Sequence, residues 1–353
     1  MKKVAINGFG RIGRLIFRAF FESGNNHDYE IVTINDLQSM DMAMHLLRYD
    51  SVHGKFHGEI TKISPNEFLV NGNRISYFSE EYPTALSWND IDLVFECTGV
   101  FKSRKSCQMH LAAGAKRVLI SSPADDDVDR TAVLGVNCDT LRPSDTIISN
   151  ASCTTNCLAP IVKAIHEEIG ILNGFVTTIH SYTGDQRLVD ADHSDFRRSR
   201  AAALNMIPTS TGATKAIELI FPELKGKLSG LSIRVSTPNV SLVDCTFTLV
   251  KNVSVDDIHN AIVKYSCEKL PNILGYTEEK LVSSDFNHCS LSAVVDFSLT
   301  QVISGNFAHV VAWYDNEWGF ANRMLDMAKK ILEYPSPPVI KPTSQRDGVY
   351  GMY

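Results

Sequence analysis

The stretch Val4-Ala5-Ile6-Asn7-Gly8-Phe9-Gly10-Arg11-Ile12-Gly13 decides the fold. A short apolar run of β type meets G-x-G-x-x-G, and from Arg11 to Phe21 apolar residues return at helical spacing through Ile12, Ile16 and Phe20. Strand, glycine turn, helix is the context in which that motif has physical meaning. Gly8 permits the tight turn, Gly10 lets a pyrophosphate approach the backbone, and Gly13 lets helix and strand pack closely. The phosphates would then rest on unpaired N–H groups at the helix start. Asp36 closes the next strand in Ile34-Asn35-Asp36, where a carboxylate accepts both adenosine ribose hydroxyls. Capping the following helix is the plainer alternative for it. A carboxylate there repels a 2′-phosphate, so the cofactor read from these residues is NAD rather than NADP.

Working outward, strands at Glu30 to Ile34, Ile91 to Cys97 and Arg117 to Ile120 alternate with helical patterns, one of them Ser103 to Ala113. Such alternation predicts right-handed βαβ units and a mostly parallel sheet. Between Phe56 and Phe78 a hairpin about Asn71-Gly72 interrupts the pattern. After Asn150 the texture changes. One helix, Thr154 to Ile169, precedes longer strands at Phe175 to Tyr182, Leu231 to Ser236, Val240 to Val250, Ala293 to Leu299 and Ala308 to Tyr314. Few helices among long strands predict a mainly antiparallel sheet. The last element is a helix from Glu317 to Leu332, with Phe320, Met324, Ala328 and Ile331 on one face. The expected fold class is therefore α/β: a Rossmann-type doubly wound parallel sheet plus an α+β catalytic domain. The expected boundaries are 1–152 for the cofactor domain, completed by 317–334, then 153–316 for the catalytic domain and 335–353 for a Pro-containing flexible tail.

Composition narrows the class of function. A chain of 353 residues, 44% hydrophobic and 21% charged, can bury two cores, and a net charge of -6 gives no generalised surface for nucleic acid or membrane. Anionic ligands must be held by local donors. No run approaches the roughly 18 apolar residues of a membrane helix, and the basic start lacks an apolar segment of signal length. Eight cysteines scattered over this length do not make a disulfide scaffold, so a reducing cytoplasm is expected.

Ser149-Asn150-Ala151-Ser152-Cys153-Thr154-Thr155-Asn156-Cys157 lies at the junction of the two textures. Cys153 falls at a helix start, where partial positive charge and free N–H groups lower a thiol's pKa and can hold an oxyanion. A buried structural thiol is the alternative. Cys153-x-x-x-Cys157 has no second ligand pair at metal spacing, so no metal is expected. His180, ending the first strand after that helix, is the candidate base.

These residues carry a family likeness. Asn7 to Arg14, Ser149 to Pro160 and Tyr314-Asp315-Asn316-Glu317-Trp318-Gly319 resemble glyceraldehyde-3-phosphate dehydrogenase, and the likeness runs from Lys3 to about Leu332. The resemblance implies Cys153 as nucleophile and His180 as base, with Ser152 and Thr154 beside the substrate. It implies that Arg11, Ile12, Asp36 and Ser121 hold NAD, that Thr98 and Phe101 line its cleft, and that Asn316 orients the nicotinamide. Thr183 with Arg234 would take the substrate's phosphate, and Arg198 with Thr211 and Gly212 inorganic phosphate. It further implies glyceraldehyde 3-phosphate and phosphate as substrates, and a homotetramer built partly through the segment from Tyr182 to Ile207. Erythrose-4-phosphate dehydrogenase is the neighbouring alternative, disfavoured by Thr209-Ser210-Thr211-Gly212; a non-catalytic NAD-binding sensor is the alternative of another class. Two segments depart from the family pattern: Glu80-Glu81-Tyr82-Pro83 where arginine often contacts adenine, and Ala191-Asp192 where NAD-specific members carry Leu-Pro.

Overall fold

The computed structural model describes residues 1–23 and 28–337. Its first sheet has nine strands in the order Arg130–Thr131, Ile147–Ser149, Val118–Ile120, Leu93–Glu96, Lys2–Asn7, Tyr29–Asn35, Asn73–Phe78, Glu67–Val70 and Ile60–Ser64. The first seven are parallel, and the last two are added antiparallel. Val4, Ala5, Ile6, Leu93, Val94 and Phe95 are fully buried, as central strands covered on both faces must be. The hairpin turns at Asn71 and Gly72, both with positive φ (49° and 81°), the backbone that a two-residue turn of primed type demands. Chain order reverses around Lys2–Asn7, which has Tyr29–Asn35 on one side and Leu93–Glu96 on the other. Beyond the carboxyl ends of strands at such a reversal, open α/β sheets bind ligands.

The second sheet runs Ile207–Thr209, Leu228–Val235, Ile171–Ser181, Ser241–Leu249, Phe307–Tyr314, Ala293–Asp296 and Leu274–Thr277. It is mainly antiparallel, with two parallel pairs that the strand lengths did not reveal: Ile171–Ser181 with Leu228–Val235, and Leu274–Thr277 with Ala293–Asp296. The first of these needs a crossover, supplied by the helix Ala213–Ile220. Val243, Cys245, Phe247 and Leu249 alternate inward and pack with Leu158, Ile161, Val162 and Ile165 of the helix Cys153–Glu168.

The last helix, Trp318–Leu332, returns to the first sheet. Its Phe320, Met324, Met327, Ala328 and Ile331 share one core with Val4, Ile6 and Phe17 of the N-terminal unit. Of the expected tail, residues 338–353 lie outside the described residues; before them the Pro335 carbonyl accepts from Arg117 Nη2.

Gly13 shows why the glycine motif belongs to packing as well as to binding. A Cβ there would stand 2.1 Å from the Gly8 carbonyl oxygen. Gly13→Ala is therefore expected to destabilise the fold by about 1–3 kcal/mol despite alanine's better helix propensity. Thermal unfolding reads this directly, and an unchanged midpoint would rule it out.

Candidate active site and cofactor cleft

The cofactor cleft opens where the chain order reverses. A cavity of about 440 Å³ is lined by Asn7, Gly8, Gly10, Asp36, Thr98 and Phe101, with Glu80, Glu81 and Tyr82 at its rim. Gly8 turns with φ +92°, and a methyl group on Gly10 would meet no protein atom within 4 Å. The helix Arg11–Glu22 has no side-chain cap at its start and no acid in its first turn. Uncovered N–H groups beneath open space fit a pyrophosphate.

Asp36 is not the cap of the following helix: Ser39 is, accepting from the Met42 N–H. The Asp36 carboxylate accepts instead from the backbone N–H groups of Phe9 and Gln38, which fix it on the cleft wall. Beneath lies Glu96, only 1% exposed, whose carboxylate accepts from Asn7 Nδ2, His110 Nε2 and the Thr98 N–H. Thr98 and Asn7 are thereby held from below. Phe101 stands edge-on to His110, and the Ser121 N–H donates to the Glu96 carbonyl.

Arg11, expected to help hold NAD, has a side chain that is already partnered. Its guanidinium is taken by Asp50 (2.6 Å) and by both oxygens of Glu317. The arginine side chain thereby ties the helix start to the turn before the last helix.

The second site begins at a strained turn. Between the strand Ile147–Ser149 and the helix Cys153–Glu168, Ala151 adopts φ +56°, and Ser152 caps the helix by accepting from the Thr155 N–H at 3.0 Å. Cys153 thus sits at the first helical position. Its sulfur touches both cores, yet its surface remains partly open. His180 Nε2 is 3.5 Å from Cys153 Sγ, brought there by the long strand Ile171–Ser181. His180 Nδ1 lies 2.7 Å from the Ser181 carbonyl and 3.0 Å from Arg234 Nη1, which itself donates to that carbonyl at 3.2 Å. A carbonyl can only accept, so the shorter contact assigns the ring hydrogen to Nδ1. Nε2 then presents its lone pair to the thiol.

Electrostatics here depart from the simple helix-start argument. Burial pushes the Cys153 thiol up, against the pull of Arg234, the Thr154 hydroxyl and the helix N–H groups. Burial, seconded by Arg234 and Arg198, lowers His180 to about 3. Desolvation disfavours charge on either partner and outweighs the helix start.

Arg234 has no carboxylate partner among the described residues, and its buried Nε has no hydrogen-bond partner. A desolvated guanidinium with an unused donor is suited to an anion. Arg198 by contrast pairs with Asp185 at 3.0 Å and donates to Thr209 Oγ1 at 3.0 Å. The Thr183 N–H is met by Gln186, the Thr211 hydroxyl accepts from the Ala213 N–H, and Gly212 precedes the helix Ala213–Ile220. Thr154 donates to or accepts from the Tyr314 hydroxyl at 2.8 Å.

Asn316 joins the two sites. Its Oδ1 accepts from Ser181 and Ser241 at 2.8 and 2.9 Å, leaving the amide N–H groups for another acceptor. Val240, before Ser241, adopts φ +65°, a costly backbone for a β-branched residue. On its other side Asn239 donates to Asp315. Sequence reasoning missed Ser181, Ser241 and Tyr314; the last directly precedes Asp315-Asn316 in a segment already singled out.

No helix among the described residues is long and apolar enough to cross a membrane, and no group of three or more metal-ligating side chains is found among them. The family description "Glyceraldehyde 3-phosphate dehydrogenase, NAD binding domain" matches residues 2–104, and "Glyceraldehyde 3-phosphate dehydrogenase, C-terminal domain" matches 152–316. With the cleft described above, these matches define an NAD-dependent dehydrogenase. Glyceraldehyde-3-phosphate dehydrogenase (plasmid) of Cupriavidus necator is 52% identical over 329 residues, covering 92% of this chain and 97% of the relative. The Geobacillus stearothermophilus enzyme of that name is 50% identical over 333 residues (93% and 98%), and Bacillus subtilis glyceraldehyde-3-phosphate dehydrogenase 1 is 49% identical over 334 (94% and 98%). The chain belongs to the glyceraldehyde-3-phosphate dehydrogenase family.

Proposed function

We propose that the protein oxidises glyceraldehyde 3-phosphate to 1,3-bisphosphoglycerate, through a thioester on Cys153, using NAD and inorganic phosphate. The observation that carries this reading is the 3.5 Å approach of Cys153 Sγ to a His180 Nε2 whose tautomer is fixed from behind by the Ser181 carbonyl. NAD, when bound, supplies the hydride acceptor. Residues 1–152 with 317–334 would form its domain, and 153–316 the catalytic one.

In the chemistry that follows, the Cys153 proton passes to His180 Nε2 as sulfur bonds to the aldehyde carbon. The imidazolium returns it to the new alkoxide, giving a thiohemiacetal. Nε2 next takes the hydroxyl proton while the C–H hydride leaves, and a thioester remains on the sulfur. Phosphate then attacks the carbonyl and the thiolate departs. Arg234 with Thr183 suits the substrate's phosphate, and Arg198 with Thr211 and Gly212 the inorganic one; Ser152 and Thr154 flank the reacting carbon. The acidic rim of Glu80 and Glu81, added to Asp36, supports NAD over NADP.

A cytoplasmic homotetramer goes with this reading. Leu188, Val189, Phe196, Leu204 and Met206, in the segment 182–207, are 73–90% exposed, apolar side chains that a neighbouring subunit would cover. The deciding experiment follows NADH formation from glyceraldehyde 3-phosphate with and without phosphate. Steady turnover is expected only when phosphate is present, and phosphate-independent turnover would overturn the proposal.

A further inference from the structure

Under the cofactor cleft, the last residues of three central strands are joined by one buried hydrogen-bond chain. Asn7, Asn35 and Glu96 end the strands Lys2–Asn7, Tyr29–Asn35 and Leu93–Glu96, and none is more than 4% exposed. The Glu80 N–H donates to Asn35 Oδ1 at 2.9 Å, Asn35 Nδ2 to Asn7 Oδ1 at 2.7 Å, and Asn7 Nδ2 to Glu96 Oε2 at 2.6 Å. From the other side Trp88 Nε1 donates to His110 Nδ1 at 3.0 Å, and His110 Nε2 stands 2.8 Å from the same Glu96 oxygen. Glu96 Oε1 takes the Thr98 N–H at 2.8 Å and the Thr98 hydroxyl.

The sense of this chain is fixed from its ends. A backbone N–H and an indole N–H only donate, so Asn35 turns its oxygen to Glu80 and His110 turns a bare nitrogen to Trp88. Asn7 and His110 are thereby left with hydrogens directed at the centre, and Glu96 receives both. No arginine or lysine pairs with that carboxylate among the described residues; four hydrogen bonds, two on each oxygen, hold it instead. An amide cannot take its place. Whichever way a glutamine turned, its NH2 would confront fixed donors, the Thr98 N–H on one side or Asn7 and His110 on the other.

The partners of Glu96 are cleft surface. Asn7, Asn35, Glu80 and Thr98 line the cavity of about 440 Å³, and Phe101, also in its wall, stands edge-on to His110 with ring centroids 6.1 Å apart. We propose that Glu96 is a positioning residue for NAD, which sets Asn7, Thr98 and the Glu80 rim in their binding arrangement before the cofactor arrives. A site ordered in advance spares the ligand the cost of ordering it. The inference rests on the cleft being the NAD site, and not on the thiol chemistry.

Glu96→Gln in the full chain tests it, read by calorimetric titration with NAD and by steady-state kinetics. NAD is expected to bind on the order of 10-fold more weakly, with a matching rise in its KM. At saturating NAD kcat should not fall, and the KM for glyceraldehyde 3-phosphate should stay within about 2-fold of wild type. A lowered thermal midpoint with unchanged NAD affinity, the mark of a merely structural glutamate, overturns the proposal. So does a loss confined to kcat. Should the variant fail to fold, hydrogen exchange of the wild type across 77–82 and 97–101 decides, because the Glu80 and Thr98 N–H groups donate into the chain. Protection is expected before NAD is added, and protection that arises only with NAD overturns the proposal as well. A wild type that binds no NAD would instead sink the cofactor site itself.

Discussion

Cys153→Ser is expected to abolish NADH formation from glyceraldehyde 3-phosphate, a loss on the order of 10⁴–10⁶-fold, as when a covalent nucleophile is removed elsewhere. A serine hydroxyl fits the same space at the start of the helix Cys153–Glu168, so neither the Ser152 cap nor the core is disturbed. The loss is chemical. Oxygen beside a neutral imidazole gives up its proton far less readily than sulfur, and the site already disfavours charge. NAD affinity should be retained, because the glycine turn and Asp36 lie on another sheet. Mass spectrometry of the wild type mixed with substrate and NAD, without phosphate, should find an acyl group on Cys153. Measurable turnover of the serine variant would remove the thioester route altogether.

His180→Asn is expected to slow the reaction by roughly 10²–10⁴-fold, the usual share of a positioned acid–base group. Asparagine preserves polarity but cannot shuttle a proton between sulfur, alkoxide and solvent. Near-normal rates of acylation would exclude the role. The same variant carries a stability signature. His180 is lowered to about 3 in the folded protein, whereas the unfolded chain has the ordinary value near 6.5, so below about pH 6.5 the unfolded state binds a proton that the native state refuses. Stability is therefore present in full above that pH and falls as pH drops towards 3, by about 2 kcal/mol at pH 5 from this group alone. His180→Asn should lose less stability than wild type between pH 7 and 5 in denaturant titrations. Equal acid sensitivity would place the imidazole in a less buried setting.

The parts of this molecule legible in its sequence are those in which short segments decide their own geometry. Gly8 and Gly13 dictate a turn and a contact within six residues, and each does so in the structure, while Gly10 leaves open space above the backbone. Ser152 and Cys153 announce a capped helix start in the same way. The helix Val255–Lys264 carries an equally local signal, the Ser254–Asp257 capping box, whereas the helix Ala213–Ile220 has only Gly212 before it, with no side-chain cap to announce it. Without those helices the second sheet read as more antiparallel than it is. What lay beyond reach depended on partners distant in the chain. Arg11 is separated by 306 residues from Glu317, and nothing beside Arg11 hints at that pair. The rise in the Cys153 thiol likewise comes from two cores closing around it, which a helix-start argument does not contain.

The return of Trp318–Leu332 to the N-terminal core bears on how the protein is made. As the chain leaves the ribosome, the dinucleotide half emerges early, but the apolar strip that Phe320, Met324 and Ile331 will cover stays bare. Nearly 300 residues separate the two helices, so at 5–20 residues per second that surface waits roughly 15–60 s for its lid. Synthesis is almost over before the first-born half can finish folding, and during that interval it is the natural client of a holding chaperone.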